Sequence, residues 1–102
     1  MRIDLYGKKF CAGCNSSKRN IEEYLKISKE KVDFYYHDMD EVEGMVEGAN
    51  ANVGQVPTTI LSVGSEENQD ASSVLRRWDG DVPNMTEVDA LIRDGVCNEI
   101  SY

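Results

Sequence analysis

A chain of 102 residues with 40% apolar and 29% charged content suits one folded domain with a single core, and excludes a disordered segment. Its formal net charge of −8 repels phosphate backbones and argues against nucleic acid as a partner. No apolar run has the length of a membrane span, and "MRIDLYG" lacks the apolar core of a signal peptide. The expected compartment is therefore a reducing cytoplasm, where paired cysteines serve catalysis or metal binding more often than permanent cross-linking.

The first element is the strand "RIDLY", apolar at Ile3 and Leu5. After Gly7 the period changes. Cys14, Ile21, Tyr24 and Leu25 recur at helical spacing, which predicts a helix over Ala12 to Ser28. "KVDFYYHDMD" is rich in β-branched and aromatic residues and is read as the second strand. Asp40 and Glu43 form a capping-box-like pair ahead of a second helix. Val42, Met45, Val46 and Ala49 supply that helix with an apolar face, and Gly44 and Gly48 weaken it.

"VPTTILSV" is the third strand, and its proline marks a strand start or an edge. The polar "GSEENQDASS" connects it to the fourth strand, "VLRRW". "WDGDVPN" is a turn, and Asn84 caps a last helix with Val88, Leu91 and Ile92 on one face. The order β-α-β-α-β-β-α predicts one domain over residues 1–102. Strands one and two should be parallel through a right-handed crossover, and strands three and four an antiparallel hairpin. The expectation is a four-stranded mixed sheet covered by three helices.

The chemistry concentrates in "KKFCAGCNSSKR". Between Tyr6 and Asn20 there is no acid, while Lys8, Lys9, Lys18 and Arg19 all fall there; from Val32 to Leu75 there are nine acids and no lysine or arginine. A metal site, a structural disulfide and a redox centre are the candidate readings of Cys11 and Cys14. If the helix begins near Cys11, its free N–H groups and dipole favour a thiolate there, and Lys8 and Lys9 add to the effect. Cys14, one turn deeper on the same face, is placed to attack a mixed disulfide formed at Cys11. A zinc site needs four ligands, and the further candidates, His37 and Cys97, lack paired spacing. His37, among strand aromatics, is expected to be structural, and Cys97 a free or partly buried thiol. Lys18 and Arg19 fit an ordinary solvated helix face.

Three stretches, "YGKKFCAGCNSSKR", "QVPTTI" and "WDGDVPNM", together resemble thioredoxin-fold proteins of the minimal glutaredoxin type. The nearest branch is the small redoxins that donate electrons to ribonucleotide reductase. The resemblance implies an α/β thioredoxin-like fold and a cytoplasmic thiol–disulfide oxidoreductase with no bound cofactor. It makes Cys11 the nucleophile and Cys14 the resolving thiol of a redox-active disulfide. Val56 and Pro57, as a cis-proline loop, would offer main-chain hydrogen bonds to a bound peptide or glutathione. Lys8 would contact the glutathione carboxylate, Gly80 and Asp81 its ammonium group, and Trp78 would form part of a docking surface.

The sequence departs from that pattern at Ala12-Gly13 between the cysteines, in the longer stretch carrying Glu66, Glu67 and Asp70, and at Asp79 and Asp81. The added acids disfavour anionic glutathione. A monomer that reduces protein disulfides, ribonucleotide reductase among the candidate substrates, with a thioredoxin-reductase-like flavoenzyme as reductant, is the leading expectation. A glutathione-dependent glutaredoxin is the second. A non-enzymatic metal-binding or adaptor domain using Cys11, Cys14, Cys97 and His37 is the third.

Overall fold

The computed structural model describes residues 1–63 and 74–100, with side chains as far as residue 94. The connection over 64–73, with Glu66, Glu67 and Asp70, lies outside the described residues, as does the Cys97 side chain. The elements follow the expected order: β1 (Arg2–Gly7), α1 (Ala12–Ile27), β2 (Asp33–Asp38), α2 (Val42–Asn50), β3 (Thr58–Ser62), β4 (Val74–Asp79) and α3 (Met85–Ile100). The sheet runs β2-β1-β3-β4. β1 and β2 are parallel, as their helical crossover requires, and the β1–β3 and β3–β4 pairs are antiparallel.

Strand alternation divides the sheet into two unlike faces. Ile3 and Leu5 of β1 join Leu61, Trp78, Ile21, Tyr24, Val88 and Ile92 in the main core, under α1 and α3. The Tyr24 hydroxyl donates to Asp89 Oδ1 at 2.8 Å and ties the two helices together. The alternate β1 residues, Arg2, Asp4 and Tyr6, are also buried, so the opposite face holds a charged cluster. Arg2 places Nε and Nη2 at 2.8 and 2.9 Å from the two Asp4 oxygens. His37 Nε2 lies 2.8 Å from Asp4 Oδ1, and its ring stacks on Tyr6 with centroids 4.4 Å apart. A carboxylate only accepts, so Nε2 carries the proton of that bond. His37 is thus a structural histidine, as its strand position suggests.

Asn84 caps α3 as expected, accepting the Thr86 N–H on Oδ1 at 2.8 Å. The second cap differs. α2 is preceded by Glu41, not Asp40, and Glu41 makes no side-chain cap. Asp40 is committed elsewhere: its N–H donates to Asp38 Oδ1 at 2.9 Å and its carboxylate accepts from the Lys9 N–H at 3.5 Å. The capping-box pairing with Glu43 is therefore absent.

The larger correction concerns which side of α2 is buried. Val42, Met45, Val46 and Ala49 form the apolar stripe of the helical period, yet all four are exposed, and Gly44 and Gly48 are buried instead. A methyl on Gly44 would run into the backbone carbonyl of Asp38, and one on Gly48 would meet Met39 Cε at 2.6 Å. The helix lies too close to the end of β2 for any side chain on that face. Gly44→Ala is accordingly expected to destabilise the protein by ~1–3 kcal/mol, because the clash is with backbone, despite alanine's better helix propensity. Gly48→Ala should cost less, since the flexible Met39 side chain can shift. Chemical denaturation of the two variants checks this; a stabilised Gly44→Ala would mean that the helix is not seated on its glycine face.

Candidate active site

The loop between β1 and α1 presents the cysteines. Cys11 has extended backbone angles (φ −130°, ψ 111°) and occupies the N-cap of α1. The Cys14 N–H donates to Cys11 Sγ at 3.1 Å, and the Asn15 N–H to the Cys11 carbonyl at 3.0 Å. A cysteine here stands where serine or aspartate usually caps, so its sulfur meets the free N–H groups and positive end of the helix. Both features favour a thiolate once the pair is reduced. Cys11 and Cys14 are joined as a disulfide, with Cα atoms 5.2 Å apart. Cys14 is fully buried while Cys11 is partly exposed, the asymmetry that the spacing implied.

The residues expected opposite the pair are brought to it. The Val56–Pro57 bond is cis. The Pro57 ring packs against the middle of the cysteine loop: a methyl added to Gly13 would lie 3.3 Å from Pro57 Cδ and Cγ. Val56 stays partly exposed beside it. Thr58 fastens this loop by donating its hydroxyl to the Gln55 carbonyl at 2.7 Å. The turn after β4 is fastened too, since the Gly80 N–H donates to the Pro57 carbonyl at 2.7 Å. Gly80 has φ +80°, a conformation that favours glycine, and a side chain there would also displace the Gln55 amide. Its N–H is therefore used inside the protein, while Asp81 remains exposed. Lys8 is exposed on the loop that leads to Cys11.

Trp78 is placed differently from the expectation. It is only 6% exposed and belongs to the main core. Its Nε1 donates to Glu87 Oε1 at 3.0 Å, and the Arg76 guanidinium covers the ring at 5.3 Å. β4 points Trp78 toward the packed face, so this indole is structural rather than part of an exposed docking surface. Asp79 is also less free than its sequence context implied. Arg77 donates to both of its oxygens, and this guanidinium holds the carboxyl below its usual range. Arg77 further donates to the Ala51 and Asn52 carbonyls at 2.8 and 3.2 Å, stitching β4 to the end of α2.

Lys18 is not simply solvated, since its ammonium lies over the Tyr36 ring, 4.8 Å from the centroid. Two residues at the site escaped sequence reasoning. Phe10, next to Cys11, is 95% exposed. Val82 lies beside Gly13, where an added methyl would be 3.7 Å from its Cγ2. Both are exposed apolar side chains, one adjacent to Cys11 in sequence and the other beside Gly13. The signal for Phe10 was available as a large aromatic between two lysines and a cysteine; Val82 sat in a turn with no period to mark it.

No protein-family model and no curated protein matches the sequence. Among solved structures, a malarial protein is similar over 92% of this chain and 94% of its own, with a TM-score of 0.70 at 19% identity. Mitochondrial thioredoxin 3 from Saccharomyces cerevisiae, in its oxidized form, matches over 91% of this chain and 76% of its own, with a TM-score of 0.63 at 18% identity. Thioredoxin 1 from Thermosipho africanus matches over 99% and 98%, with a TM-score of 0.63 at 21% identity. With its mixed four-stranded sheet and three helices, the chain has the thioredoxin fold, and it carries a linked cysteine pair at the head of its first helix.

Proposed function

We propose that the protein is a cytoplasmic thiol–disulfide oxidoreductase that reduces protein disulfides through Cys11 and Cys14. The observation that carries this reading is the Cys11 sulfur at the N-cap of α1, accepting the Cys14 N–H, with Pro57 packed against the neighbouring Gly13. In the reduced form, the Cys11 thiolate attacks one sulfur of a substrate disulfide. A Cys11–substrate disulfide forms, the substrate's own bond breaks, and the departing sulfur takes a proton from water. Cys14, once deprotonated, attacks Cys11, closes the internal disulfide and releases the second substrate thiol. Two electrons pass from the protein to its substrate. Phe10, Val56, Pro57 and Val82 supply the surface on which a peptide rests, and Lys8 adds positive charge beside it. The electrons return from a thioredoxin-reductase-like flavoenzyme, and ribonucleotide reductase is a candidate substrate.

A glutathione-dependent reaction is the second reading. In its favour, Arg77 offsets the charge of Asp79, which weakens the acidic rim that would repel this anionic tripeptide. Asp81 would then meet the glutathione ammonium group and Lys8 a carboxylate. Coupled insulin reduction separates the two. Turnover with thioredoxin reductase and NADPH, and none with glutathione and glutathione reductase, is the expected result; the reverse pattern would select the second reading. Turnover with neither reductant, nor with dithiothreitol, would remove both.

A further inference from the structure

The reversed seating of α2 leaves a question that the redox chemistry does not use. Val42, Met45 and Val46 are 74%, 49% and 52% exposed. Single exposed apolar residues are ordinary, but these three share one face of a nine-residue helix. The helix cannot roll to bury them. Gly44 and Gly48 are held against Asp38 and Met39, and a larger side chain does not fit there. Beside the stripe runs a groove of about 500 Å³, walled by Val42 and Val46 and rimmed by Asp38, Glu41, Glu43 and Glu47.

We propose that this face docks a protein partner whose contact surface carries lysine or arginine around an apolar centre. Charge complementarity identifies the occupant. Four carboxylates rim the groove, against the Lys18 ammonium over its Tyr36 wall, and no lysine or arginine occurs in sequence from Val32 to Leu75. A second copy of this chain would bring the same acids face to face across a two-fold axis, under a net charge of −8 on each subunit. The turn that leads into α2, over Met39 and Asp40, adjoins the cysteine loop. The Met39 N–H donates to the Gly7 carbonyl at 2.8 Å, and the Asp40 carboxylate accepts from the Lys9 N–H. A partner that covers both α2 and this turn would approach Cys11. That this partner is the disulfide-bearing substrate rests on the redox reading above.

The test uses three disulfides with the full-length protein and dithiothreitol as reductant. One is a 15-residue peptide with alternating Arg and Leu and a terminal cysteine blocked as a mixed disulfide. The second has Glu in place of Arg, and the third is the small uncharged bis(2-hydroxyethyl) disulfide. The wild type should reduce the basic peptide with a kcat/KM ~10-fold above that of the acidic one. Met45→Ser with Val46→Ser, both outward-facing, should remove most of that advantage and leave the small disulfide within ~2-fold of wild type. Glu43→Gln with Glu47→Gln should act likewise, and added salt should mimic it. Equal rates for the two peptides, with normal turnover of the small disulfide, would overturn the docking surface alone. Absence of turnover on all three would instead defeat the redox reading. A wild-type dimer in sedimentation that Met45→Ser dissociates would give this face to a second copy and overturn the proposal.

Discussion

Cys11→Ser is expected to lower insulin-disulfide reduction to the rate of the chemical reductant alone, a loss on the order of 10³-fold or more, as when any covalent nucleophile is removed. Serine is nearly isosteric and caps helices well, so circular dichroism should show an intact fold. The Cys14→Ser variant separates the two sulfurs by a different readout. It retains the attacking thiolate and lacks the group that resolves the intermediate. Mixed with a disulfide-bearing protein, it should accumulate a covalent adduct that dithiothreitol cleaves, and Cys11→Ser should form none. The asymmetry follows from geometry: Cys11 is partly exposed and receives a helix N–H, while Cys14 is buried beneath it. Adducts forming through Cys14 in the Cys11→Ser protein, at the rate seen for Cys11, would reverse the assignment and sink the mechanism.

The same asymmetry shows what a sequence can disclose. Element order, the pairing of β1 with β2 and of β3 with β4, and the position of the cysteines at the start of α1 were all legible. Each follows from local period or from residues close in sequence. The approach of Pro57 to Gly13 and of Gly80 to Pro57 depends on three distant segments; the family resemblance pointed to the first, and nothing in the sequence to the second. The error at α2 has a physical origin. Val42, Met45, Val46 and Ala49 repeat at helical spacing, but so do Gly44 and Gly48, and a helix can bury either stripe. Hydrophobicity favours the first. Proximity to the Asp38 carbonyl and the Met39 side chain admits only the second. Asp40 illustrates the same limit, because its carboxylate meets Lys9 through a tertiary contact that no capping pattern registers. Trp78 was read as surface through its turn motif, while strand alternation placed it in the core.

The charged face of the sheet yields the second large effect. Asp4→Asn is expected to destabilise the protein by ~3 kcal/mol near neutral pH, lowering the melting temperature by roughly 10–20 °C for a domain of this size. The substitution keeps the shape, so the loss is that of charge and hydrogen bonding to Arg2 and His37, not of packing. Burial by itself pushes the Asp4 carboxyl up. The hydrogen bonds from His37 and Arg2, with their charges, together outweigh it and leave the carboxyl below its usual range. A folded-state value below the unfolded one stabilises the fold above about pH 4, and the gain disappears as pH falls through the folded value. The part of the stability gap that comes from the Asp4 charge should therefore be present above about pH 5 and close as the carboxyl protonates below about pH 4. Tyr6, stacked on the same histidine, keeps its hydroxyl neutral throughout: burial first, then the charges of Asp4 and Glu47, push it up to about 12. Urea denaturation of both proteins from pH 7 to pH 2.5 reads the gap directly. A gap that stayed fully open well below about pH 4 would mean that the Asp4 charge is not what stabilises the fold.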